Sequence, residues 1–360
     1  MFLSPSLSAV SGVSTLVNTL LGSSLRLEFD LSHFQVGSEG RDETVLRSLW
    51  RLLASPFLLF WTLLRRQPDI VHLNVSLDPK GYWRDLVYLF IARLMRRGVV
   101  NQIHGGAMPQ TLFPRSRFLA WIFRRALVAS DAVVVLSSAE VEAYRKFDAR
   151  INVYLVPNAI NATDLAEAAR LFNHDKPLRL VYVGRIVANK GLFESLECLR
   201  LLKARGHLFT LRIAGDGPAQ EALRAAADST GLAGEVMFLG KVFGEAKNRL
   251  WLDSDVFVFP TYNPEGLPYA LLEAMAAGCV PVICPVAAIP DVMQDGVHGL
   301  FVPPKDPEAL ARALIFLDRQ RDELARMARA ARERISEHYL IDRLVRDLMG
   351  IYRHAAHNYR

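Results

Sequence analysis

From residue 68 the chain alternates short, β-branched apolar runs with longer stretches whose apolar positions recur at helical spacing. The runs 68–75 (PDIVHLNV), 98–103 (GVVNQI) and 131–137 (DAVVVLS) read as strands, with helices over 82–97 and 116–128. Strands that take turns with helices predict a parallel sheet with right-handed crossovers. The pattern restarts after Pro157, where 178–183, 208–214, 235–239, 255–259 and 280–283 read as buried strands. Helical spacing over 191–205, 218–230, 267–277 and 307–334 separates them. Pro and Asn break the periodicity in VPNAINATD (156–164). The expectation is an α/β chain of two doubly wound, Rossmann-like αβα domains, 1–158 and 159–339, facing each other across a cleft. A last helix over 340–360 is expected to return to the first domain. In such sheets ligands bind at the carboxyl ends of the strands.

Composition narrows the class. A chain of 360 residues is long for one core, and 51% hydrophobic with 22% charged residues describes a folded protein. Cys198, Cys279 and Cys284 have no metal-ligand spacing and form no even disulfide framework, which favours a reducing compartment. No basic segment followed by an apolar stretch marks a leader at the N-terminus. The longest apolar candidate, Ala54–Leu64, has 11 residues inside the run of 13 between Arg51 and Arg65, too few to span a bilayer as a helix. Charge is uneven. Residues 1–160 hold 18 Lys and Arg against 12 Asp and Glu, which is the chain's whole net charge of +6. An anionic partner is therefore expected on the N-terminal side.

Four segments of the second half stand where a strand hands over to a loop. In GRIVANKG (184–191), Gly184 lets the backbone turn, Arg185 and Lys190 bring two cations to one mouth, and Gly191 opens a helix. Two cations and a helix N-terminus can neutralise a diphosphate without a metal; the plainer alternative is a solvated loop. In IAGDGP (213–218), Gly215 and Gly217 permit close approach, and Pro218 suits the start of the next helix. In NPEGLPYALLEAMAAGCVPVI (263–283), Glu265 precedes a helix started by Pro268, and Glu273 follows eight residues later, two turns along the same face. Helix-cap and helix-surface acids are the bland alternatives. Apolar neighbours make the second a poor fit to Glu273. In FLGKVFGE (238–245), Phe243 either lines a nucleobase or packs.

GRIVANKG, GDGP and EGLPYALLEAMAAGCVPVI, in this order and at these separations, resemble the retaining glycosyltransferases of family four, the glycosyl transferases of group 1 with the GT-B fold. The resemblance covers most of 156–305. It implies that Arg185 and Lys190 bind the donor diphosphate and stabilise the leaving group. Glu273 would hydrogen-bond the ribose, and Glu265 the donor sugar, with the amides of Gly266 and Leu267 near the phosphate. Gly184, Gly191, Gly215 and Phe243 complete the donor side. The first half is similar more loosely. SAVSGVSTLVNTLL (8–21) matches the family's glycine loop and helix, with Ser11-Gly12 where two glycines are usual. That puts Gly12 at the donor. The strand before it is reduced to MFLSP, so it is short or the recorded start is late, and Ala159 stands in PNAI where Gly is commoner. HGG (104–106) corresponds to the loop that faces the donor sugar, which gives His104 a positioning role. His72, inside a strand-like run, reads as a satisfied core residue.

The function expected is a retaining, metal-independent, cofactor-free transfer of a sugar from a nucleotide-sugar to a saccharide acceptor, lipid-linked by the working hypothesis. No acid is placed as an obvious nucleophile, so the resemblance implies front-face transfer without a covalent intermediate. TLLRRQ (62–67), 81–98 and RSRFLAWIFRRAL (115–127) set Trp and Phe beside Arg, with Phe118, Trp121 and Ile122 on one helical face edged by Arg124 and Arg125. Such helices suit an anionic membrane surface, giving a peripheral protein at the cytoplasmic face; core-facing helices with basic rims are the alternative. Two rival functions are a non-hydrolysing nucleotide-sugar epimerase, whose elimination acids are not found, and a non-catalytic nucleotide-sugar or membrane-binding subunit. A nicotinamide dehydrogenase is disfavoured because no G-x-G-x-x-G follows the first strand of either half. Nucleic acid is disfavoured because the basic residues alternate with apolar helix faces.

Overall fold

A computed structural model describes residues 1–37, 44–77, 79–106, 108–165, 172, 176–263 and 266–357. The chain divides into two units, one of Met1–Ala159, Glu265–Leu267 and Ile341–Arg360, the other of Ile160–Pro264 and Pro268–Leu340. Each holds a parallel six-stranded sheet.

In the first unit the strands are β1 (Phe2–Ser4), β2 (His33–Gln35), β3 (Ile70–Leu77), β4 (Gly98–Gly106), β5 (Ala132–Val135) and β6 (Val153–Leu155). They lie in the order β2-β1-β3-β4-β5-β6. The helices between them are α1 (Gly12–Gly22), α2 (Val45–Arg66), α3 (Pro79–Leu94), α4 (Arg117–Ala129) and α5 (Ser138–Phe147). Their starts are written in the sequence. Ser11, Thr44, Ser116 and Ser137 each accept a backbone N–H of the first turn, a cap worth about 1 kcal/mol apiece. At α5 the Glu140 carboxylate reinforces the cap, accepting the Leu136 amide at 2.9 Å and the Ser137 hydroxyl at 3.0 Å. β5 is buried at every position, as a central parallel strand covered on both faces must be.

The second unit repeats the design with β7 (Leu178–Val183), β8 (Phe209–Ala214), β9 (Val236–Gly240), β10 (Val256–Phe259), β11 (Val280–Ile283) and β12 (Leu300–Phe301). Its helices are α6 (Leu192–Ala204), α7 (Gln220–Ser229), α8 (Gly244–Leu252), α9 (Tyr269–Ala276), α10 (Ile289–Val292), α11 (Pro307–Arg319) and α12 (Arg321–His338). The strand order β12-β11-β10-β7-β8-β9 reverses between β10 and β7. At such a reversal neighbouring crossovers leave in opposite directions and a crevice opens outside the strand ends. The final helix, α13 (Ile341–His357), belongs to the first unit.

The single helix expected over 307–334 is two, α11 and α12, broken at Gln320. Arg321, only 2% exposed, holds the break. Its guanidinium donates to the Asp318 carboxylate at 2.5 Å and to the Asp318 carbonyl at 3.0 Å. His207 meets the same carboxylate at 2.7 Å. A polar network of this kind outweighs a continuous periodicity, because one more helical turn would strand a buried charge.

Candidate functional site

The crevice of the second unit is built on an aromatic column. Trp251, Phe257, Phe259 and Tyr182 follow one another with centroids 5.2, 5.2 and 5.6 Å apart. All four are buried. Tyr182 ends the column by donating its hydroxyl to the Arg185 carbonyl at 2.8 Å, so the loop after β7 is fixed at its root. Arg185 itself is exposed. Lys190, half-buried, lays its ammonium over the Phe259 ring, 5.1 Å from the centroid, which directs it to the end of β10. Further ties join the loops after β7 and β10. The Tyr262 amide donates to the Asn189 carbonyl at 3.1 Å, and the Asn189 side chain to Asn263 Oδ1 at 2.7 Å.

Gly191 has φ +77° and precedes α6, whose first turn has no side-chain cap, so its free amides remain available to an anion. A Cβ on Gly191 would stand 2.2 Å from the Pro260 carbonyl, so only glycine lets this loop close against β10. Gly215 (φ +142°) is tighter still, with a Cβ position 1.9 Å from the Gly184 carbonyl. The close approach that GDGP allows is thus made by backbone on backbone. Gly215→Ala is expected to lower stability by about 3 kcal/mol or more, because both contacting groups are main chain. A urea midpoint equal to wild type would show that the loop can yield. Pro218 lies two residues ahead of α7 instead of at its first position.

Glu273 is one turn into α9, not two, because the helix begins at Tyr269. Its carboxylate is held from two sides: Lys247 Nζ meets Oε1 at 2.7 Å, and Trp251 Nε1 donates to Oε2 at 3.1 Å. Burial first and this carboxylate second push the Tyr269 phenol upward. Lys247 and Trp251 were not singled out from the sequence. Their spacing of four on α8, cation and aromatic on one helical face, is the signal that was there to be used. Glu265 lies outside the described residues. Gly266 and Leu267 lead into α9, which also lacks a side-chain cap; Leu267 is buried and its carbonyl accepts from Asn158 at 2.8 Å. Phe243, just before α8, is 56% exposed and is not part of the buried core.

Gly12 and His104 belong to the first unit, Gly12 as the first residue of α1 after β1 and His104 near the carboxyl end of β4. His104 Nε2 meets Asn74 Oδ1 at 2.9 Å, and the Asn74 amide donates to the Leu3 carbonyl at 3.2 Å. With Nε2 carrying the proton, Nδ1 is an acceptor. Burial lowers the His104 pKa to about 4, so this imidazole is neutral at pH 7. His72 is a core residue, bonded through Nδ1 to the Tyr352 hydroxyl at 2.5 Å and lowered to about 3 by burial, then by the neighbouring His104 and the N-terminal amine.

Both histidines are lower in the folded chain than in the unfolded one. Below about pH 6.5 the unfolded chain therefore binds protons that the folded chain refuses. Stability is full above that pH and falls as pH drops toward 4, by up to about 1.4 kcal/mol per unit for each histidine. A urea midpoint that stays level from about pH 7 to about pH 5 would contradict the burial of both rings.

One D-x-D triplet, Asp253-Ser254-Asp255, was not singled out from the sequence, and it does not bear on the crevice. Asp255 is buried just before β10, at its amino end, where it binds Arg179 at 2.6 Å. Among the described residues no group of three or more His, Cys, Asp and Glu is placed to hold a metal ion.

Known proteins line up with this architecture. Residues 163–334 match the family described as glycosyl transferases group 1, and residues 27–164 match glycosyltransferase family 4. The chain is 33% identical over 182 residues to the putative colanic acid biosynthesis glycosyltransferase WcaL of Salmonella typhimurium, which covers 49% of this chain and 45% of that one. It spans about half the length of the colanic acid and amylovoran biosynthesis relatives it matches. Alpha-D-kanosaminyltransferase of Streptomyces kanamyceticus is 29% identical over 316 residues, 82% of this chain and 81% of that one. Among solved structures, Anabaena HepE in complex with UDP-glucose superposes with a TM-score of 0.72 at 16% identity, covering 97% of this chain and 98% of that one, a likeness of fold.

Proposed function

We propose that this chain, which belongs to the glycosyl transferases of group 1 and family 4, moves a sugar from a nucleotide-sugar to a saccharide acceptor, with retention and without a metal. The observation that carries the reading is the meeting of Lys190, the uncapped start of α6 and the pinned Arg185 loop at the point where the strand order reverses. Cations and helix amides fixed in advance stabilise charge as it develops on a departing diphosphate, at no cost of reorganisation during the reaction. The bond from the anomeric carbon to the diphosphate breaks with its electron pair on the phosphate oxygen. The acceptor oxygen enters on the same face. Its proton has the departing oxygen as the nearest base.

Glu273 is assigned the ribose, Glu265 the sugar hydroxyls, and Phe243 the base. His104 offers a neutral acceptor nitrogen for a sugar hydroxyl. Gly266 and Leu267 offer amides to the phosphate, and Gly12 close approach of the backbone. Synthesis of a cell-envelope polysaccharide or glycolipid is the setting, supported by the relative that acts in colanic acid biosynthesis. A lipid-linked acceptor at the cytoplasmic face of the membrane agrees with the basic N-terminal half.

Thermal unfolding with a panel of UDP-, GDP- and ADP-sugars tests the reading, since a ligand at a hundred times its Kd stabilises by about 2.7 kcal/mol. One nucleotide-sugar is expected to raise Tm, and to be consumed only when an acceptor is added. Conversion without acceptor would make the chain an epimerase, and no shift with any donor would remove the donor site.

A further inference from the structure

The face that α2 turns to solvent is the wrong composition for a free surface. Trp50, Leu53 and Phe57 are 73%, 68% and 77% exposed, and Trp61 and Leu64 continue the stripe. Their spacing keeps them within an arc of about 100°. Ser55, Leu59 and Leu63 occupy the opposite side and are buried. The helix therefore satisfies the core with one face and leaves a second apolar face uncovered. Its neighbours do the same. α2 packs on α3, and α3 on α4. Phe90 and Leu94 of α3 are 65% and 66% exposed, and Phe118 of α4 is 67% exposed, stacked on the outward Trp121. The core of α4 is instead Phe123, Ala126 and Leu127. The expectation that Phe118 and Trp121 share an aromatic face holds, and that face looks outward.

Charge decides what covers this surface. α2 and α4 contain no acid, and Asp85, the lone acid of α3, is buried against Arg84 at 2.7 Å. Arg47, Arg51 and Arg65 run along one edge of the α2 stripe, and Arg65 and Arg125 lie over the Trp61 and Trp121 rings at 4.7 and 5.5 Å. Two copies joined through this face would oppose arginine to arginine, with no acid on α2 or α4 to separate them. An anionic bilayer supplies both missing partners, acyl chains for the aromatic stripe and phosphates for its arginine edge. No described helix is long and apolar enough to cross a membrane, so the contact is lateral.

We propose that α2, with the outer edges of α3 and α4, is an interfacial docking surface that lies in the headgroup plane of an anionic membrane and inserts Trp50, Phe57 and Trp61 into it. This deepens the membrane side of the function proposed above, but it stands on the geometry of the first unit alone.

The test is sedimentation of the full chain with vesicles of phosphatidylcholine, with and without phosphatidylglycerol, at low and high salt and with no donor present. Binding is expected only to the anionic vesicles, weakened by salt, with a blue-shifted tryptophan emission. The double variant Trp50→Ser, Phe57→Ser removes the two large side chains of the stripe that the fold covers least, 73% and 77% exposed. It is expected to lower vesicle affinity about a hundredfold and to leave Tm and the thermal shift by donor unchanged. Wild-type vesicle binding by this variant would overturn the proposal, as would a chain that stays in solution at low salt. So would a lipid-free dimer that the same substitutions break, since that identifies a second copy as the occupant. Donor binding is read separately, so failure of the docking surface and failure of the sugar-transfer reading are distinct results.

Discussion

Lys190→Ala is expected to lower kcat for sugar transfer by two to three orders of magnitude (roughly 2.7–4 kcal/mol), the loss that follows removal of one preorganised stabiliser of developing charge. The ammonium is not a loose surface charge. It is half-buried, seated over Phe259, and two residues from the uncapped first turn of α6. That position costs nothing to organise when the diphosphate bond breaks, which is why the effect falls on turnover. Lys190→Arg keeps the charge but not the compact point donor, and is expected to recover only part of the rate. Stability is expected to fall by no more than about 1 kcal/mol, the worth of the contact with Phe259. Steady-state rates with saturating donor, alongside a urea melt, make the test. Wild-type kcat in Lys190→Ala would end the assignment of this loop to the leaving group. Arg185→Ala is expected to act in the same direction but more weakly, since the exposed guanidinium is the less fixed of the two.

Much of this arrangement was legible in the sequence because the strands are buried on both faces. VYV, VFVF and VPVI have no polar alternation to confuse with a helix, and 178–183 and 280–283 are observed as expected. The short edge strands β2, β6 and β12 escaped notice, because two or three half-buried residues carry no period. The 307–334 helix was read through its break because the periodicity of α11 and α12 is nearly continuous, and the network at Arg321 that interrupts it joins residues far apart in the chain. The glycines of GRIVANKG and GDGP were legible as points of close approach, though not that the approach is of Gly215 to Gly184. Long-range pairing also hid Lys247 and Trp251, which acquire meaning only when α8 lies beside α9. Most of the stripe on α2 was read as an apolar run too short to span, and only its end, 62–67, was placed among the basic segments suited to a membrane. Counting its length missed its periodicity, which is what sets Trp50, Phe57 and Trp61 on one side.

Glu273→Gln is expected to raise KM for the donor by about a hundredfold, with a smaller effect on kcat. A charged acceptor is worth about 1.5–3 kcal/mol in each hydrogen bond it receives, and the ribose offers two hydroxyls. Binding that is equal in ground state and transition state appears in KM, and the ribose is remote from the bond that breaks. The carboxylate can serve this purpose because it is already oriented. Lys247 fixes Oε1 and Trp251 fixes Oε2, and each oxygen keeps capacity for a further donor. Trp251→Phe keeps an aromatic ring in the column with Phe257 and keeps the charge of Glu273, while it removes the indole donor and some buried volume, so a urea melt is read beside its kinetics. About a tenfold rise in KM with unchanged kcat is expected of it, the worth of one hydrogen bond. A donor lacking a ribose hydroxyl closes the argument as a double-mutant cycle. Its penalty is expected to be large with the wild-type chain and nearly absent with Glu273→Gln, because the hydroxyl and the carboxylate are one interaction. An equal penalty in both would show that Glu273 never touches the ribose and that its partners on α8 hold it for the fold alone.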